Sequence, residues 1–183
     1  MPKYANEPSQ EHSEITWRDE AIARGATNAS DHVLYRQMRE MAESYRQAAD
    51  ARFLPNAEYM HARIAHVLEN GRFFEASRKP KDIPFGRHKK CYSNSFRLAL
   101  NNDALTYVDG FALTSLGDLN DEPLAIEHGW VVRRQRVIDV TWRDVGHSYF
   151  GVVYSLREIA DNGYFPLMDN IALRKCGLPL LDH

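Results

Sequence analysis

The chain has 183 residues, with 23 Lys+Arg against 25 Asp+Glu, a formal net charge of −2 and 44 % hydrophobic residues. This is ordinary globular composition in a length that suits one domain with a real core, so collagen-like, coiled-coil and wholly disordered chains are excluded. No apolar run approaches the roughly 18–20 residues of a membrane span, and the balanced charge disfavours a general nucleic-acid binder.

Residues 1–29 are polar. Glu7, Glu11, Glu14, Asp19 and Glu20 face only Lys3, Arg18 and Arg24. A flexible arm with one short helix around 17–24 is expected. Nothing near Met1 has the hydrophobic stretch of a secretory signal, so a reducing, cytoplasmic setting is expected.

From Ser30, a candidate N-cap followed by Asp31, helical periodicity sets in. Val33, Leu34, Met38, Met41 and Tyr45 form the apolar stripe of a helix running to about 52. Pro55 is placed to open the next helix, with Met60, Ile64, Val67 and Leu68 on its apolar face and Asn70-Gly71 as its stop. The two make an N-terminal helical hairpin over 30–71.

Residues 72–76 suit a short strand. Residues 78–90 form a loop broken by two prolines and a glycine, with six Lys/Arg against one Asp. A helix follows from Cys91 to about Asn102. Strand-type runs occupy Leu105–Leu113, Leu124–Arg133, Gln135–Val140 and Tyr149–Tyr154. A last helix is expected near Ser155–Asp161. Helices followed by an antiparallel-looking sheet read as one α+β domain over 30–183.

The two cysteines, Cys91 and Cys176, are too few for a disulfide scaffold. Cys176, followed by Gly177-Leu178-Pro179, reads as a packing thiol. Cys91 differs. It opens a helix, whose unpaired N–H groups and positive end favour a thiolate, and His88, Lys89 and Lys90 precede it. A histidine in reach of such a thiol forms an ion pair with it, and the Cys91 N–H is placed to serve an oxyanion.

His128 sits in a period-2 run, sharing a face with Trp130 and Val132. Asp139 lies eleven residues on, among Val137, Ile138 and Val140. In a hairpin centred near 133–134 the two stand opposite one another, at a separation that suits an aspartate–imidazole bond. His147 is the reserve base. Zinc on Cys91, His128, Asp139 and Cys176 is disfavoured, because no C-x-x-C or H-x-x-x-H pair is present and His61 and His66 share a helix face poorly.

Cys91-Tyr92, then His128-Gly129-Trp130, then Ile138-Asp139-Val140-Thr141-Trp142, in that order, resemble the transglutaminase-like branch of the papain-like cysteine-enzyme superfamily over roughly residues 85–155. The resemblance implies a helix carrying the cysteine packed on an antiparallel sheet, with Cys91 as nucleophile, His128 as base and Asp139 as its orienter. Tyr92, Trp130 and Trp142 would be substrate-binding side chains, the tryptophans serving equally as core or cleft wall. It implies acyl transfer on an amide or peptide bond (peptidase, amidase, deamidase or transglutaminase type) with a protein or peptide substrate and no cofactor. Tyr92 stands where the family often has tryptophan. No glutamine stands shortly before Cys91 to donate to an oxyanion, which favours general acyl transfer over a papain-type protease.

Two further readings stand beside this one. A catalytically inactive interaction or assembly protein would keep the fold and use the arm and the hairpin as its surface. A nucleic-acid factor would use loop 78–90, which otherwise is a solvated basic segment making the site entrance positive.

Overall fold

The structure, a computed structural model, describes residues 10–52, 56–115, 122–162, 174 and 177. The expected roles of Pro55 and Cys176 fall outside them. Among these residues five helices and five strands follow one another as α1 (Gln10–Ala23), α2 (Ala29–Asp50), α3 (Ala57–Asn70), β1 (Arg72–Phe74), α4 (Cys91–Leu100), β2 (Thr106–Thr114), β3 (Leu124–Arg133), β4 (Arg136–Ile138), β5 (Ser148–Tyr154) and α5 (Leu156–Asn162). The mixed α+β class holds. Among the described residues no helix is long and apolar enough to cross a membrane.

The arm of the sequence reading carries α1, which spans more residues than the short helix expected there, and its Ala21 is fully buried beside Leu34 and Met38. α2 starts two residues earlier than Ser30 suggests. Asn28 is the N-cap, its side chain accepting from the Asp31 N–H at 3.0 Å. Asp31 is turned inward and accepts from Ser148 Oγ at 2.6 Å. The last helix has a reciprocal cap: Ser155 N–H donates to Glu158 at 2.7 Å and Glu158 N–H donates to Ser155 Oγ at 3.2 Å.

The strands pair antiparallel in the order β1-β5-β2-β3-β4. The sheet curls until its two edges meet. Glu75, just past β1, receives the Val137 N–H at 2.9 Å and donates its own N–H to Gln135 O at 2.9 Å. Alternation sorts the side chains. Val108, Trp130, Val132, Val137 and Tyr149 fill the concave interior. Phe73, Phe111, Leu113 and Phe150 point the other way and pack under Leu34, Met38, Ile64 and Val67 of α2 and α3. Tyr107, Val131, Ile138 and Tyr154 meet Ala99 and Phe96 of α4. The helical hairpin and the cysteine helix thus cover the same sheet face side by side.

Candidate active site

Cys91 is the first residue of α4 and is half-buried. Lys90, in the N-cap position, makes no capping bond with its side chain, and no acid stands in the first turn. The first N–H groups of the helix therefore lie at the thiol without a side-chain cap. Gly129 sets how closely this end approaches β3. A Cβ there would come within 2.7 Å of Tyr92 Cδ1 and 3.2 Å of Tyr92 Cα. The Ser95 hydroxyl completes the seam by donating to Gly129 O at 2.9 Å. Cys91, one residue before Tyr92, is thereby brought to His128, one residue before Gly129.

His128 is 1 % exposed. With the carboxylate ionised, its Nε2–H donates to Asp139 Oδ2 at 2.8 Å. The Cys91 side chain is the ring's other polar neighbour, and its hydrogen bonding and charge favour the imidazolium. Trp142 stacks on the ring at 3.9 Å between centroids and 14° between planes. Burial opposes the charged imidazole, but hydrogen bonds to Asp139 and Cys91 and the charges of both outweigh it, and the His128 pKa is lifted to about 9.

Asp139 reaches His128 by a route slightly different from the expected one. The hairpin turns on Arg134 and Gln135, with Arg133 paired to Arg136 and Val131 to Ile138. This centre lies one position beyond the expected one. In that register Asp139 falls opposite Trp130 and diagonal to His128, on the same face. β4 ends at Ile138, which lets the carboxylate turn toward the ring. It also accepts the Thr141 N–H at 2.8 Å, the Trp142 N–H at 3.1 Å and the Tyr149 hydroxyl at 3.1 Å. Burial works against its charge. The bond from His128, the imidazolium charge and the two backbone donors prevail and hold the carboxyl below its usual range.

The residues expected at the substrate sort into three situations. Trp142 is half-buried and lines a cavity of about 510 Å³ beside Asp139. Tyr92 turns onto Gly129; burial, then the charges of Asp109, Glu127 and Cys91, raise its hydroxyl pKa and keep it neutral. Trp130 is fully buried, edge-on to Phe74 at 6.1 Å and to Tyr149 at 5.2 Å. This corrects the substrate-binding expectation for Trp130: it is interior packing under His128. His147 lies apart, hydrogen-bonded to Ser115 at 3.0 Å. His61 bonds Ala42 O, and His66 bonds Tyr154.

Two side chains at the site carry no sequence signal. Tyr149 donates to Asp139 while accepting the Gly146 N–H at 2.9 Å. Asn94, one turn into α4, bonds Arg87 O at 2.7 Å, Thr141 Oγ1 at 3.0 Å and the Arg87 N–H at 3.0 Å. It ties the basic loop to the segment after Asp139. Comparison with models of known families, with curated proteins and with solved structures finds no match.

Proposed function

We propose that this chain is a cysteine-dependent acyl-transfer enzyme acting on an amide or peptide bond of a protein or peptide. The observation that carries this is the buried His128 imidazole bonded to the Asp139 carboxylate at 2.8 Å, with the Cys91 thiol, at an uncapped helix start, as its other polar neighbour. The resemblance of the ordered segments to the transglutaminase-like branch supports it, as does the α+β arrangement with a cysteine helix on an antiparallel sheet.

Cys91 Sγ, as thiolate, attacks the carbonyl carbon, and its proton resides on His128. Asp139 keeps the ring oriented and stabilises its charge. The oxyanion of the tetrahedral intermediate meets the N–H groups of the first turn of α4. The imidazolium then protonates the departing amine and a thioester remains on Cys91. Water or a second amine, deprotonated by His128, attacks the thioester and releases the thiolate. No cofactor enters this scheme, and a reducing compartment such as the cytoplasm suits it.

Alkylation with iodoacetamide at neutral pH, resolved by mass spectrometry, tests it. Cys91 is expected to react at least about tenfold faster than Cys176, and His128→Ala to abolish the difference. Equal, slow reaction at both thiols would sink the enzymatic reading and favour an inactive interaction protein.

A further inference from the structure

Two cavities lie along the segment leading from β1 and along the β3–β4 hairpin, and they share Ser77 and Arg78. One, of about 510 Å³, has Arg78, Lys79, Lys81 and Arg143 on its walls together with Asp139 and Trp142. The other, of about 820 Å³, is lined by Arg78, Arg133, Arg134 and Arg136. Segments far apart in the chain thus build one cationic groove that ends at the ring stacked on His128.

The balancing carboxylates are few. Asp139 is engaged by His128, and Glu75 by Arg136 at 3.2 Å; Asp144 is the third. Lys79 is occupied, donating to the carbonyls of Pro80 and Ile83 and lying 4.4 Å over the Phe85 ring. Among the described residues Arg78, Lys81, Arg133, Arg134 and Arg143 have no ion pair, and all five are exposed.

Arg134 adds an independent sign. It occupies the first position of a two-residue hairpin turn with φ +62°. Asn or Gly is the residue that such a turn favours, because a bulky side chain is strained there. Packing does not ask for a large side chain at this exposed tip, so the arginine there is paired with local strain rather than with burial.

We propose that this groove holds an acidic segment of the polypeptide on which the site acts; the substrate clause rests on the acyl-transfer reading. Arginines dominate the groove, and their planar forks match carboxylates two bonds at a time. Its joined cavities, of about 510 and about 820 Å³, are too large for a single small anion. Single-stranded nucleic acid is disfavoured, because stacking platforms are missing: Phe85 is the one exposed aromatic on the walls among the described residues, and Lys79 lies over its ring. Trp142 joins the groove to the catalytic ring, so a bound acidic stretch would present the neighbouring residues of the same chain to Cys91.

The test is binding of a fluorescent oligoglutamate of about 12 residues, about 40 Å when extended, to the full chain. The wild type and Cys91→Ala are expected to bind it equally. An Arg78→Glu, Arg134→Glu double variant should bind about tenfold more weakly, and the wild-type affinity should fall between about 50 and about 300 mM salt. Arg134→Gly relieves the turn, so it should melt at a higher temperature and still bind more weakly, which separates lost binding from lost folding. Unchanged affinity in the double variant overturns the proposal, and so does tighter binding of a single-stranded RNA of equal length. Fast alkylation of Cys91 without oligoglutamate binding overturns the groove alone. Binding without fast alkylation overturns the acyl-transfer reading, and the substrate clause with it.

Discussion

Asp139 accepts four hydrogen bonds, from His128, Tyr149, Thr141 and Trp142, while 4 % exposed. An unpaired carboxylate so buried would be costly; here its partners make the charge the favoured state. The pair leaves opposite marks on stability. The folded His128 pKa of about 9 exceeds the unfolded value of about 6.5, so its contribution is full below about 6.5 and is lost as pH rises through about 9. The slope this adds is at most about 1.4 kcal/mol per pH unit. Asp139, with its folded pKa lowered, contributes above the unfolded value of about 3.9, and the contribution is lost as pH falls through the folded one. Urea unfolding of the wild type against His128→Gln across pH 6 to 10 (about four units) should show their stability difference shrinking as pH rises. A difference that grows over that window would mean that the buried ring is neutral. Asp139→Asn, which removes the chief support of the imidazolium, should bring the His128 pKa down from about 9, as read by NMR titration.

At the scale of elements, the site is a seam between α4 and β3, and a missing side chain makes the seam possible. With no Cβ on Gly129, Tyr92 packs directly onto β3, its Cδ1 and Cα crowding the position a methyl group would take. Gly129→Ala meets a backbone atom at 3.2 Å as well as the ring carbon at 2.7 Å, so α4 must lift rather than one rotamer adjust. The variant should lose about 1–3 kcal/mol, the usual cost of overpacking. Cys91 alkylation should slow by about tenfold or more, since the thiol leaves the imidazole. A variant that is destabilised yet alkylates at the wild-type rate would show that the seam does not position Cys91. Much of this was legible beforehand. Cys91 at a helix start and the alternation of His128, Trp130 and Val132 are local patterns, and both are found as read. The diagonal placement of Asp139 depends on which two residues turn the hairpin, and Arg134-Gln135 lacks the Asn-Gly type of signal that would have located it. Asn94 and Tyr149 act through long-range bonds that no local period encodes.

The whole molecule depends on a sheet whose edge strands, β1 and β4, come from distant parts of the chain and meet through the backbone of Glu75. The change from helices to strands along the sequence was legible, because periodicity reports it. The order β1-β5-β2-β3-β4 and the meeting of the edges were not, because they arise from twist and non-local pairing. Closure matters to the site, since Val137 pairs with Glu75 and Asp139 lies two residues on. Two interactions could hold it: the ion pair of Glu75 with Arg136, whose side chains are 58 % and 69 % exposed, and the two backbone bonds at 2.9 Å. Exposed ion pairs contribute about 0–1 kcal/mol, whereas an unmade backbone bond beside a buried strand costs about 1–3 kcal/mol. The backbone should therefore dominate. Glu75→Ala is expected to stay within about 1 kcal/mol of the wild type in urea unfolding. Glu75→Pro, which lacks the N–H given to Gln135, should lose about 2 kcal/mol or more and slow Cys91 alkylation as β4 and Asp139 shift. If Glu75→Ala proved as damaging as Glu75→Pro, the charges rather than the peptide bonds would be what joins the sheet to itself.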